Sequence, residues 1–145
     1  MEELSSVAID DEKAGETIVD YLIEHGHTKI AEIGANLELS QTAILRHNGY
    51  LNSFKKHGIT PDERYYERAR FSYDSAYRAM KKLLEKNIEI TAVYAISDVM
   101  AIGAIRAILD KGLRVPEDIS ITGFDGSTLA EYYNPKIVSI RQPHK

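Results

Sequence analysis

The 145-residue chain contains no cysteine. That excludes a disulfide framework, a thiolate metal site and a cysteine nucleophile together. Long apolar runs are missing as well: Ile102–Ala107 is among the longest, and Gly103 and Arg106 interrupt it. A membrane helix needs about twenty apolar residues in a row, and the acidic start Met1–Glu3 does not resemble a signal peptide. Positive charge is in deficit, with 18 Lys+Arg against 22 Asp+Glu and a net charge of −4. A domain that grips a nucleic-acid backbone by itself needs a basic stripe, so this balance counts against that role. Catalytic signatures are also lacking. There is no GxSxG elbow, no GxGxxG and no Walker loop. The histidines His25, His27, His47, His57 and His144 show neither metal-ligand spacing nor a pattern of partner carboxylates. No catalytic residue, metal site or cofactor is expected.

What is present is ordinary globular composition, 43% hydrophobic and 28% charged, in a length that suits one domain. A core of this size buries roughly two-thirds of the area exposed by the unfolded chain. A soluble, cytoplasmic, membrane-free chain is the expectation.

Helical and strand periodicities alternate. Ala14, Ile18, Leu22 and Ile23 recur at helical spacing, with Asp10 or Asp11 able to cap the start and Gly26 the end. Thr28–Ile33 reads as a buried strand closed by Gly34. Ser40 caps a second helix carrying Ala43, Tyr50, Leu51 and Phe54, with Gly58 past its end. Tyr65–Arg70 reads as a short strand. Ala76, Met80, Leu83 and Leu84 form a third helical stripe that starts near Tyr73 or Asp74 and ends at Asn87. Thr91–Ile96 is β-prone, and Ser97 caps a fourth helix that stops at Gly112. Ile119–Thr122 and Lys136–Arg141 read as strands, with one helical turn over Leu129–Tyr133. Strands alternating with helices of this length imply right-handed crossovers. The fold class is therefore α/β, a doubly wound, mainly parallel sheet with helices on both faces.

The two ends are unusual in this frame. Ser6–Ile9 looks like a strand with no neighbour before it, and the chain stops just after a strand. Natural sheets avoid bare edges, so a piece of a longer protein is expected.

In open α/β sheets, ligands sit beyond the carboxyl ends of the strands. There the reading places Gly34–Ser40 with Arg46, then Arg70, Phe71 and Ser72, then Ser97 and Asp98, then Phe124, Asp125, Gly126 and Ser127. Arginine and aspartate can each bond two neighbouring hydroxyls, while an aromatic ring packs on an apolar ligand face. The set suits a small polyhydroxylated molecule such as a sugar. Each member also has a plain explanation. Ser97 and Asp98 can cap a helix, Asp125 can form a turn, Phe71 can belong to the core, and Arg46 can lie on a solvated helix face.

Several segments together resemble one family. Gly26-His27-Thr28-Lys29-Ile30-Ala31 followed by Gly34 resembles the GHxxIAxIxG run of LacI/GalR-type transcription regulators. Arg46-His47-Asn48-Gly49-Tyr50 resembles their RxxGY helix start, and Ser97-Asp98-Val99-Met100-Ala101-Ile102-Gly103 their DxMAxG turn. Leu113 through Asp125, LRVPEDISITGFD, is similar to their GLxVPxDISVxGFD signature, and Pro135–Ser139 with Gln142-Pro143 continues the match.

The resemblance implies the C-terminal subdomain of a periplasmic-binding-protein-like effector domain. Residues 1–10 would enter from the other subdomain, residues 11–141 form the effector-binding subdomain, and residues 142–145 begin the return. It further implies that Arg46 and Asp125 bond effector hydroxyls, and that Ser97 stands where an asparagine often does the same. Phe71 would fall near the aromatic stacking position, and Ile102 and Tyr133 at a homodimer interface, on an exposed apolar patch. The resemblance implies a small-molecule effector, a sugar by the family's habit, and operator DNA bound only through a helix-turn-helix head outside this sequence. A sugar-transport binding protein, or an α/β enzyme, is the alternative.

Overall fold

The computed structural model describes residues 2–124, with side chains from residue 11 onward. Its elements run α1 (Glu2–Glu24), β1 (Ile30–Ala35), α2 (Gln41–Lys56), a 3-10 turn (Glu63–Tyr65), β2 (Tyr66–Ala69), α3 (Tyr73–Glu85), β3 (Ala92–Ala95), α4 (Asp98–Asp110) and β4 (Ser120–Thr122). The four strands pair in parallel in the order β2-β1-β3-β4. The α/β, doubly wound reading holds.

The starts of α2, α3 and α4 have a local cause. Ser40, Ser72 and Ser97 are extended residues whose hydroxyls accept the N–H of Ala43, Ser75 and Met100, satisfying donors that lack a helical partner. At the helix ends, Gly26, Gly58 and Gly112 take φ of 95°, 71° and 87°, which a side chain would strain. His25 Nδ1–H caps α1 by donating to the Tyr21 carbonyl at 2.8 Å.

The expectation for Ser6–Ile9 needs correction. These residues lie within α1, which starts at Glu2 and runs through Asp10 and Asp11 without a break. A strand there would need a neighbour to bond, whereas a helix closes its hydrogen bonds within itself. No proline or glycine stands between Glu2 and Ala14 to stop it. Asp125, Tyr133, the Leu129–Tyr133 turn and the Lys136–Arg141 strand lie outside the described residues.

Chain direction across the sheet sets the layers. β1 to β2 steps one way, and β2 to β3 returns past β1, so right-handed crossovers put α2 and α3 on opposite faces. α1 packs on α2 over one face, and α4 packs on α3 over the other. Apart from Glu32, the core between them is apolar along β1, β3 and the residue after β3, with Ile30, Ile33, Val93 and Ile96 at most 1% exposed. Tyr50 and Tyr94 are buried entirely yet satisfied: their hydroxyls donate to the carbonyls of Ile30 and Arg46 at 2.8 and 2.9 Å.

The amino edge carries a titratable group. His27 Nδ1 lies 2.9 Å from the Thr91 hydroxyl, and burial, then the neighbouring His25, holds its pKa below the ordinary imidazole value. The unfolded chain therefore takes up a proton that the folded one resists. The stability this site contributes is present above about pH 6.5 and is lost as pH falls from there through the lower folded value. The melting temperature should drop between about pH 7.5 and 5.5. His27→Gln should shrink the drop, and superimposable profiles for the two proteins would show that other groups dominate.

Candidate functional site

The reversal of chain direction between β1 and β3 creates a switch point, and the crevice there is the expected ligand position. Arg46 occupies it. It extends from the second turn of α2, with Nη1–H donating to the carbonyl of Ile96 at 2.6 Å, at the end of β3. Its guanidinium carbon sits 3.7 Å from the centroid of the Phe124 ring, and Nη2 is 3.6 Å from the Asp11 carboxylate on α1. Arg46 is only 8% exposed, so it is not the solvated helix residue that composition alone would make it. A buried guanidinium held by a carbonyl, an aromatic face and a carboxylate is preorganised for a polar ligand.

Ser97 and Asp98 adjoin it. Ser97 is 9% exposed and its hydroxyl caps α4, so the plain reading of this residue is correct as far as it goes. Asp98 does more than cap. Its Oδ1 accepts the backbone N–H of Phe124 at 2.8 Å, tying the segment after β4 to the start of α4. A side chain at Gly123 would collide with that carboxylate, so glycine is what permits the tie. Phe124, fully buried beneath Arg46, was one of several strand-end residues in the sequence and carried no role of its own; only the fold shows it as the platform.

Phe71 lies in the turn between β2 and α3 and is 44% exposed, so it is not a core residue. It shares the carboxyl edge with Arg46 and Ser97, but β1 separates β2 from β3, a lateral offset of about 10 Å. Leu39, in the turn after β1, is 83% exposed at the same edge. Arg46 and Ser97 are thus brought together, while Phe71 stands apart on the rim. Asp125, the other residue expected to hold ligand hydroxyls, follows Phe124 directly and is outside the described residues.

Ile102 departs from expectation. It is 5% exposed and so does not present an apolar patch to solvent. α4 is buried from Met100 through Ile105 and again at Ala107 and Ile108, because sheet and α3 enclose most of its circumference. Among the described residues no group of three or more metal-ligating side chains converges, and no helix is long and apolar enough to cross a membrane.

A doubly wound parallel sheet that carries its fixed polar group at the switch point belongs to the class of small-molecule-binding α/β domains. The chain is a member of the periplasmic binding protein-like domain family, whose model matches residues 19–145. Its relatives and structural neighbours are LacI-family transcription regulators. It is 40% identical over 141 residues to the transcriptional regulator MalR of Clostridium butyricum, covering 97% of this chain and 42% of MalR. The solved complex of the transcriptional regulator CelR with cellobiose superposes with a TM-score of 0.88 at 36% identity, over 93% of this chain and 41% of that one. A sugar-binding LacI-family regulator of Escherichia coli, complexed with phosphate, gives 0.87 at 32% identity, over 91% and 47%. The chain spans less than half the length of these relatives.

Proposed function

We propose that this chain is the effector-sensing subdomain of a LacI-type transcription regulator and that its effector is a sugar. The observation that carries the reading is Arg46, buried at the switch point and fixed between Ile96 and Phe124. A neutral polyhydroxylated ligand takes N–H bonds from a guanidinium and gives O–H bonds to a carboxylate, the roles assigned here to Arg46 and Asp125. Ser97 adds a hydroxyl, and Phe71 an aromatic face on the rim. A relative whose structure is solved in complex with cellobiose supports the sugar class.

In this reading residues 11–141 form one wall of the cleft, and a second subdomain closes over the ligand. Residues 1–10 and 142–145 connect the two. Ligand would bind one cleft geometry better than the other and so shift DNA affinity elsewhere in a cytoplasmic, DNA-binding protein. The reading requires no catalysis, metal or cofactor. A homodimer belongs to the same proposal. Tyr133 would contribute to it, whereas Ile102 has little surface left to bury.

The test is titration of the full-length protein with cellobiose, glucose and other sugars by calorimetry, paired with operator retention in the same samples. A sugar that binds and changes operator affinity supports the proposal. Binding without any change in operator affinity would point to a transport-type binding protein instead.

A further inference from the structure

One buried carboxylate has no part in the site described above. Glu32 stands in the middle of β1, fully buried in an otherwise apolar strand. Its Oε1 lies 2.7 Å from His47 Nδ1 on α2 and 3.8 Å from Arg68 Nη1 on β2. Its Oε2 has no hydrogen-bond partner.

Register explains what surrounds it. Glu32 pairs with Tyr66 of β2 on one side and Tyr94 of β3 on the other. Residues paired across parallel strands point to the same face, so Tyr66, Glu32 and Tyr94 form one row across the sheet. All three members of that row meet the same step of α2. The Tyr94 hydroxyl donates to the Arg46 carbonyl at 2.9 Å, and Glu32 holds the His47 ring. The Tyr66 ring meets that ring edge-on, centroids 5.1 Å apart at 90°. Burial, and then the charge of Glu32, raise the Tyr94 phenol well above its usual range, so it remains a donor. Space for its hydroxyl is left by Gly15, where an added Cβ would lie 2.6 Å away.

For stability alone the row is a poor choice. A buried polar cluster is often matched or bettered by well-packed apolar residues, and here one carboxylate oxygen is left without a hydrogen bond. Unlike apolar packing, however, it is directional. Two hydrogen bonds from adjacent strands fix the rotation and height of α2 at the step from which Arg46 departs. We infer that Glu32, acting through His47, is a positioning residue for Arg46, with Tyr94 as its second support. The inference rests on the assignment of Arg46 to the ligand site.

The experiment uses the full-length protein. In the ligand-free state the Arg46 side-chain N–H, buried and bonded to Ile96, should exchange slowly with solvent by NMR. In the double variant Glu32→Leu/His47→Leu it should exchange roughly tenfold faster while the melting temperature holds or rises. Sugar affinity, measured with cellobiose and glucose, should fall about tenfold in parallel. Glu32→Gln keeps a hydrogen bond to His47 and should restore most of both. Should the double variant fail to fold, Tyr94→Phe removes a single hydroxyl at constant shape and should also speed the exchange. Arg46 exchange unchanged from the parent in the double variant, or in Tyr94→Phe where the double variant does not fold, would overturn the inference. Arg46→Ala separates the two readings: if it binds sugar as the parent does, the ligand site itself is misassigned. If it loses binding while the row variants keep exchange and affinity, only the positioning role fails.

Discussion

Arg46→Ala in the full-length protein should weaken sugar binding by about ten- to a hundredfold. That range follows from losing hydrogen bonds donated by a charged group, roughly 1.5–3 kcal/mol. The upper part is favoured because Arg46 is already immobilised by Ile96 and Phe124, so ligand contacts to it cost little further ordering. Operator binding without effector should be nearly unchanged, since the proposal places Arg46 in the sensor's cleft and the operator contacts in a separate head. Asp125→Ala should give a loss of similar size by removing a charge-assisted acceptor for ligand hydroxyls. The measurement is calorimetric titration at a temperature where circular dichroism shows each variant folded. A variant that answers its sugar as the parent does would reduce Arg46 to a structural tie between α2, β3 and the segment after β4.

What could be read from the sequence divides by range. The serine caps at Ser40 and Ser97, and the glycines past α1, α2 and α4, act on backbone groups within four residues, so local pattern was enough to place them. The parallel sheet followed from alternation and handedness, whereas the strand order β2-β1-β3-β4 depends on which strands pair and became visible only in the fold. The burial of Arg46 did not follow, because its carbonyl partner is fifty residues on and its aromatic platform further still. The same holds for His47, which lacks any carboxylate at regular spacing yet finds Glu32 on β1, fifteen residues earlier. A glutamate inside an apolar strand run, IAEIGA, was the signal available for that pair. The Ser6–Ile9 segment shows the opposite failure. A local apolar pattern suggested a strand, but a strand is defined by partners, and the chain forms a helix there instead.

Gly49→Ala should destabilise the domain by about 1–3 kcal/mol, although alanine is the better helix former by about 1 kcal/mol. The reason is the closeness of α1 and α2. A Cβ at Gly49 would stand 2.5 Å from the Glu12 carbonyl oxygen and 2.6 Å from the Glu16 amide nitrogen, both backbone atoms of the facing helix. Backbone cannot rotate aside as a side chain can, so the helices would have to separate. Gly49 lies only three residues beyond Arg46, and separation there would also loosen the contacts of the Arg46–His47 step. Gly103→Ala should act similarly on the other face, where a Cβ would run into the Tyr73 carbonyl at the start of α3. Gly34→Ala is the contrast. Its nearest neighbours would be Arg68 Nη1 and the Glu32 carboxylate at 3.7 Å, an ordinary contact, and alanine in a strand is favoured over glycine by roughly 0.5–1 kcal/mol. Urea denaturation of the three variants should therefore lower the midpoint for Gly49→Ala and Gly103→Ala and leave it level or higher for Gly34→Ala. Equal midpoints for all three would mean that the helix pairs have slack that the close approach of their backbones does not suggest.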